Sequence, residues 1–242
     1  GVQSTNPKTV EAIHRTMDLK KLEKVVSRVK SFGNIHQHLD LIAGLPYEDV
    51  NSFQKSFDDV YAMRPDQLQL GFLKVLKGSG MREDAPGYGI NWHERAPYEV
   101  LTTDWLSYGD VLLLKGVEDM VEVYYNSRQF DRTISKIMER YASPFLFFKE
   151  LADFYDWEGL AGIGHARIAR YEILRRFLSE EKGWELKEYE QCMVLDLYAR
   201  ENLKSRPVFA PDLSPYKEQL KIMTREYGRQ VHVEVLERER RP

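Results

Sequence analysis

Residues 40–49 read DLIAGLPYED, and this stretch decides the fold of the first part of the chain. An apolar run over residues 35–43 predicts a strand that ends at Gly44. Glycine permits close backbone approach, and Pro46 stiffens the turn that follows. Glu48 then supplies either a polar ligand contact or an acidic group near the start of the next helix. A buried strand ending in such a loop is typical of a parallel sheet with a binding site at its carboxyl edge.

The segments on either side of this stretch continue the same pattern. Asn6-Pro7 predicts a helix start, and Asp18 predicts a second one that opens an apolar stripe. A further amphipathic helix follows the quoted loop, and residues 67–75 predict the next strand. Because strands alternating with helices imply crossover connections, the sheet should be parallel. Three loops should then share one rim: residues 3–6, 44–49 and 77–81.

The character of the chain changes after these elements. Residues 82–102 are rich in glycine, proline and aromatic residues, which predicts a connecting loop. Residues 103–242 show helical periodicities and end in an alternating segment at 230–237 that predicts a strand. The predicted fold class is therefore α/β, with residues 1–81 forming half of a TIM-type parallel barrel and residues 103–242 forming a mainly helical domain.

Composition limits the classes of partner. A net charge of −3 gives no overall attraction to phosphate backbones, so nucleic acid is unsupported as a partner. No segment approaches the roughly 18 apolar residues of a membrane span, and no signal peptide is evident. We therefore expect a cytoplasmic protein with no membrane partner. The single cysteine, Cys192, can form neither an internal disulfide nor a cluster site by itself, which favours a packed thiol.

Four segments in order carry a family resemblance. They are GVQSTNP at 1–7, HR at 14–15, DLIAGLPYED at 40–49 and LQLGFLKVLKGSGM at 68–81. Together they resemble the second half of the partial barrel of the radical S-adenosylmethionine superfamily, in the branch whose members also carry a cobalamin-binding domain. The resemblance covers residues 1–81, and a fainter likeness to the helical extension of such enzymes continues beyond residue 95.

The resemblance implies roles for eight residues in cofactor binding. Gln3 and Ser4 would lie near the ribose or the methionine portion of S-adenosylmethionine, and Arg15 would meet its carboxylate. Ile42 and Gly44 would flank the adenine, and Glu48 closes that motif. Leu76 and Gly78 would line the loop after the sixth strand of the family barrel. None of these residues is expected to be catalytic or to bind a metal.

One departure from the family is severe. The cysteines of the CxxxCxxC motif, which hold the [4Fe-4S] cluster, have no counterpart in this sequence. The chain also opens at Gly1 without an initiator Met, so we expect a C-terminal fragment of a parent enzyme. The parent would use S-adenosylmethionine and a [4Fe-4S] cluster, with cobalamin as a further candidate, and the fragment should retain none of them. Its partners would be the missing N-terminal half and a small-molecule substrate of unknown identity.

Two alternatives stay open on the sequence. The first is a helical binding or scaffold protein without catalysis. The second is a fragment of a radical enzyme that resembles coproporphyrinogen oxidases or methylthiotransferases. The four segments favour the hypothesis of a fragment of a radical oxidoreductase or methyltransferase.

Two further features of the first 81 residues carry expectations of their own. His36 and His38 lie at strand spacing and could chelate a metal, but they lie at the end of the strand opposite Gly44. The strand around Val2 should have an unpaired edge, which we expect the C-terminal strand, a loop or a second copy of the chain to cover.

Overall fold

The structure is a computed structural model, and it describes residues 1–201, 203, 205–228 and 232–236. The described residues contain ten α-helices, of which the first five are α1 (Pro7–Ala12), α2 (Leu19–Ser31), α3 (Val50–Ala62), α4 (Gly80–Asp84) and α5 (Tyr108–Val121). The other five are α6 (Asp131–Met138), α7 (Pro144–Trp157), α8 (Arg167–Arg176), α9 (Lys187–Tyr198) and α10 (Lys217–Tyr227). The strands are β1 (His38–Ala43), β2 (Gln67–Phe72), β3 (Asn91–Trp92) and β4 (Val100–Thr102).

The predicted parallel arrangement is present in the first part of the chain. β1 and β2 pair in parallel from His38 opposite Gln67 to Ala43 opposite Phe72. Gln3 forms a parallel bridge with Leu41, so the first residues extend the sheet beyond β1. The sheet is small, and the described residues form no closed barrel.

The two faces of this sheet differ in burial. On one face, alternate residues of both strands are buried: Leu39, Leu41, Ala43, Leu68, Leu70 and Phe72. Helices α3 and α5 pack on β1 and β2 respectively and contribute to this core. The other face carries the intervening residues, which are half-buried or exposed. We call this second surface the open face and define it by Gln3, His38, Asp40, Ile42, Gln69 and Gly71.

The helix starts follow the local signals in the sequence. The side chains of Asn6 and Asp18 accept hydrogen bonds from backbone N–H groups in the first turns of α1 and α2. Asp49 does the same for α3, and Ser143 with Pro144 starts α7. These caps depend on contacts within a few residues, which a sequence displays directly.

The predicted loop at 82–102 contains regular structure. Part of α4, the 3₁₀ turn Ala85–Tyr88, β3 and β4 all lie within it or overlap it. β3 and β4 pair antiparallel, and the chain after β2 also pairs with this segment, because Val100 N donates to Leu73 O and Val75 N donates to Tyr98 O. Such pairing joins residues about 25 positions apart, which local glycine and proline signals do not reveal.

Two compact units divide the chain at other places than the predicted domains. The first comprises residues 1–128 and 140–163, and the second comprises residues 129–139 and 164–242. Helices α5 and α7, predicted to belong to a separate helical domain, thus share a unit with residues 1–81. In the second unit, α6 packs on α9, and α8 runs into the π-helical turn Phe177–Glu181.

The predicted C-terminal strand does not form within the described residues. Residues 232–236 are not part of a strand, and residues 230, 231 and 237 lie outside the described residues. An alternating pattern forms a strand only when a partner satisfies its backbone groups. None of the helices in the described ranges combines the length and apolar character needed to cross a membrane.

Candidate functional site

The first two rim loops meet at the carboxyl end of the parallel strands. Asn6 Nδ2 donates a hydrogen bond of 2.7 Å to Tyr47 O, and Thr9 Oγ1 donates one of 2.8 Å to Pro46 O. The loop after residue 3 and the loop after β1 are therefore held against each other by side-chain bonds to backbone. The sequence placed both loops on one rim, and the structure brings them into contact.

A buried carboxyl lies at the centre of this contact. Glu48 Oε1 accepts hydrogen bonds from Ser4 Oγ at 2.7 Å and from Ser56 Oγ at 2.9 Å, so it links the first loop, the second loop and α3. Glu48 is only 1% exposed, and its Oε2 has no hydrogen-bond partner among the described residues. Burial raises the pKa of Glu48 from 4.5 to about 7, although the two serine bonds oppose the shift.

The two serines are themselves oriented by backbone donors. Asn6 N donates to Ser4 Oγ at 3.0 Å, and Thr5 N donates to Ser56 Oγ at 3.0 Å. Each hydroxyl therefore has its proton free to point at Glu48. Ser4 is fully buried, so it supports the loop from inside and does not line the surface of the rim.

Gln3 and Ile42 lie on the open face. Gln3 Nε2 donates a 2.8 Å hydrogen bond to Asp40 Oδ2, which joins the edge segment to β1 by side chains as well as backbone. Ile42 lies opposite Gly71 in the register, and a Cβ atom added to Gly71 would be 2.9 Å from Ile42 Cδ1. The absence of a side chain at Gly71 thus leaves room for the Cδ1 atom of Ile42.

Gly44 has a structural requirement of its own. Its φ is +89°, and an added Cβ would be 2.7 Å from Val100 Cγ1. The space beside Gly44 is therefore filled by a side chain of β4. The sequence assigned this glycine to a ligand, and the structure shows that the protein's own Val100 approaches it.

The remaining predicted residues lie apart from this cluster. Leu76 is half exposed, and Gly78 has a φ of +77° with open space around it. No hydrogen bond or ion pair joins residues 76–81 to the first two loops in the described part of the chain. Arg15 is exposed, and its Nη1 donates to Gly1 O at 3.1 Å.

Three aromatic rings pack together at the rim, and no sequence pattern links them as a group. The ring centroid of Tyr47 lies 4.6 Å from that of Trp105 and 5.8 Å from that of Tyr88. Tyr47 has a φ of +63°, which is unfavourable for a bulky residue, and it is 42% exposed.

The described residues do not fit an iron–sulfur cluster or another metal centre. Cys192, the one cysteine, is half-buried in α9, and burial raises the pKa of its thiol. The rings of His36 and His38 lie 4.7 Å apart at the start of β1. Among the residues described, no three side chains of the metal-binding types converge on one point.

A comparison with protein-family models identifies the family to which the chain belongs. One family model, described as "Protein of unknown function (DUF4080)", matches residues 86–239, which is more than half of the sequence. The chain belongs to the DUF4080 family. A search of curated proteins finds no match.

The DUF4080 segment contributes directly to the rim. Val100, Tyr88 and Trp105 all lie within the matched residues, and they contact Gly44 and Tyr47 of the preceding part. The matched segment also crosses from the first compact unit into the second. The family boundary at residue 86 therefore does not coincide with a boundary between compact units.

Proposed function

We propose that this DUF4080 protein is the C-terminal part of a radical S-adenosylmethionine enzyme of the iron–sulfur oxidoreductase or methyltransferase type. In this proposal residues 1–81 are the second half of a TIM-type barrel, and cobalamin is a further candidate cofactor of the parent enzyme. The observation that carries it is the bonding of Ser4 and Ser56 to Glu48. Those bonds join the loop after the Gln3 bridge to the loop after β1, and both loops belong to segments that resemble the family.

The open face gives further support. A barrel that holds a polar ligand needs polar and small residues on the inner side of its strands. The open face offers the Gln3 amide, the Asp40 carboxylate and the Ile42 side chain beside Gly71, while the opposite face is the apolar core. Under the proposal, Gln3 and Ile42 contact the nucleoside part of S-adenosylmethionine.

The buried members of the predicted set have a different role under this proposal. Ser4 and Glu48 have almost no exposed surface, so they position the two rim loops and do not touch the ligand. Gly44 keeps the second loop close to β4. Leu76, Gly78 and Arg15 are accessible, and they meet the ligand only if the rim loops close over it.

The cluster must come from outside this chain. A [4Fe-4S] cluster in this superfamily takes three cysteines, and the sequence has one. The reductive cleavage of S-adenosylmethionine therefore belongs to the N-terminal half of the parent, and the present residues shape and close the pocket.

Measurement of iron, sulfide and S-adenosylmethionine binding on the anaerobically reconstituted chain tests the proposal. We expect no stoichiometric cluster and no cleavage of S-adenosylmethionine by this chain alone. Stoichiometric cluster assembly here would contradict the proposal. The encoding gene supplies a second test, because an in-frame CxxxCxxC upstream is expected, and its absence would favour the scaffold alternative.

A further inference from the structure

Helix α2 leaves much of its apolar stripe uncovered. Val26 is the only residue of the helix that is buried. Val25 is 50% exposed and Phe32, the C-cap residue, is 56% exposed, whereas Leu22 and Val29 are half-buried. Exposed apolar side chains that line up on one helix are unusual on a protein surface and mark contact sites.

These four residues have the spacing of a helix–helix seam. Leu22, Val25, Val29 and Phe32 are separated by three, four and three positions, which corresponds to the a and d positions of two heptads. In that register Lys21 and Arg28 occupy the flanking g positions. Both are exposed, and neither charge has an ion-pair partner within the described part of the chain. We call Leu22, Val25, Val29 and Phe32 the α2 seam.

The α2 seam points away from the neighbouring helix. Glu23, Ser27 and Lys30 line a groove of about 590 Å³ between α2 and the end of α3, and Lys30 Nζ donates to Arg64 O. At about 100° per residue, these groove residues lie on nearly the opposite side of α2 from the seam. α2 therefore lies beside α3 on one flank, Val26 is its buried residue, and Val25 and Phe32 on the other flank remain exposed.

We propose that the α2 seam docks an amphipathic helix whose apolar stripe is flanked by acidic residues. The identity of that helix rests on the proposed function: it belongs to the other half of the barrel, since the open flank faces away from α3. In helix pairs, charges at the flanking positions select the partner, and two unpaired cations select carboxylates.

Other occupants fit the α2 seam less well. A nucleic acid would meet Lys21 and Arg28 but would leave Val25 and Phe32 uncovered. A second copy of α2 offers no carboxylate at the flanking positions, which hold Lys21, Val26, Arg28 and Gly33, so each cation would face another cation or an uncharged residue. Anionic lipid would attract Lys20 and Lys24 as strongly as Lys21. A membrane surface therefore does not require the cations to lie beside the seam.

Two designed peptides test the proposal on the complete chain. Each has three heptads with Leu at a and d, one with Glu and the other with Lys at e and g. Fluorescence anisotropy should show the Glu peptide binding at least about tenfold more tightly than the Lys peptide at low salt. The double variant Lys21→Glu with Arg28→Glu should reverse this preference. The matched control, Lys20→Glu with Lys24→Glu, changes the charge equally away from the seam and should keep the original ranking.

Four results would overturn the proposal. They are no binding of either peptide, no reversal in the double variant, equal loss in the control variant, and binding that survives Val25→Ser with Phe32→Ser. Self-association that Phe32→Ser abolishes would identify a second copy as the occupant instead, and binding to phosphatidylglycerol vesicles that outcompetes the Glu peptide would identify lipid. None of these measurements involves iron or S-adenosylmethionine, so failure here is distinguishable from failure of the proposed function.

Discussion

Glu48 is a carboxyl that three segments of the chain enclose. Hydrogen bonds from both serine hydroxyls replace lost hydration at Oε1. Oε2 lacks a hydrogen-bond partner among the described residues. A desolvated carboxylate is costly, so the protonated form is favoured in the folded state. The rim thus contains a group whose charge changes near neutral pH.

The first prediction concerns the pH dependence of stability. Because the folded pKa of Glu48 is about 7 and its reference value is 4.5, the folded state binds the extra proton in that window. Stability from this group is therefore present at low pH and falls as pH rises from about 4.5 to 7. Glu48→Gln should lose that dependence, so the difference in unfolding free energy between pH 5 and pH 8 should shrink by roughly 2 to 3 kcal/mol.

Urea unfolding followed by circular dichroism at both pH values measures this difference. Glu23→Gln serves as the matched control, because it makes the same substitution at an exposed position. Equal slopes for the wild type and Glu48→Gln would mean that the carboxyl is ionised in the folded state at acidic pH, contrary to expectation.

The second prediction compares two glycines that share a positive φ. Gly44 and Gly78 have φ values of +89° and +77°, but only Gly44 has a side chain, that of Val100, within contact of an added Cβ. Gly78→Ala should cost about 1 kcal/mol from the backbone alone, and Gly44→Ala about 2 to 4 kcal/mol because a clash is added.

Chemical denaturation of both single variants gives the two costs. Combining Gly44→Ala with Val100→Ala should recover part of the loss, so that the double variant is more stable than the sum of the single effects predicts. Strict additivity would indicate that the loop moves away from β4 and avoids the clash.

At the scale of elements, two helices donate hydrogen bonds from the backbone of their N-terminal turns to carboxylates of other helices. α6 has no capping side chain of its own, and Asp196 of α9 accepts hydrogen bonds from the backbone N–H groups of Arg132 at 3.0 Å and Thr133 at 2.8 Å. The hydroxyl of Thr133 also donates to Asp196. In α7, Asp58 of α3 accepts from Phe145 N in addition to the local Ser143 cap. These carboxylates attach one helix to the end of another.

The third prediction concerns the cap that Asp196 provides for α6. Asp196 is 3% exposed, so Asp196→Ala leaves the buried N–H of Thr133 and the part-buried N–H of Arg132 without acceptors and should cost about 2 to 4 kcal/mol. Asp196→Asn keeps one carbonyl oxygen and should cost less than the alanine variant. Hydrogen exchange at the amides of Arg132 and Thr133 would report the loss locally. Unchanged exchange in Asp196→Ala would show that the cap does not stabilise α6.

At the scale of the whole molecule, the two edges of the parallel sheet differ in their hydrogen-bond partners. On the β2 side, the Asn126 side chain accepts from Leu68 N and donates to Leu68 O, each at 2.9 Å, and so imitates a neighbouring strand. On the other side, Gln3 directs both its backbone groups to β1. No strand within the described ranges pairs with the outer edge of residues 1–4.

The fourth prediction follows from that outer edge. An unpaired strand edge recruits another strand, and a second copy of the chain is the available one in a purified sample. Sedimentation velocity over a wide concentration range should show reversible self-association. The Phe32→Ser variant should associate equally well, because it alters the α2 seam and leaves residues 1–4 intact. A chain that remains monomeric at all concentrations would show that the edge does not recruit a second copy.

The local signals of the sequence were sufficient for most elements of the first unit. Asn6 and Asp18 cap helices where they were expected to, and residues 40–49 end a parallel strand in a rim loop. These features depend on backbone preferences and on hydrogen bonds between residues close in sequence. The resemblance of the four quoted segments likewise rests on the sequence alone, because it is a match of residues.

Only the tertiary structure decided how the rim is built. The burial of Ser4 and Glu48, the contact of Val100 with Gly44, and the ring cluster around Tyr47 join residues that are tens of positions apart. The same holds for the half-exposed α2 seam, whose apolar stripe alone predicts burial. Local patterns determine which surface a segment can bury, whereas packing of distant segments determines which surfaces are covered, because close contact excludes water only where two complementary surfaces meet.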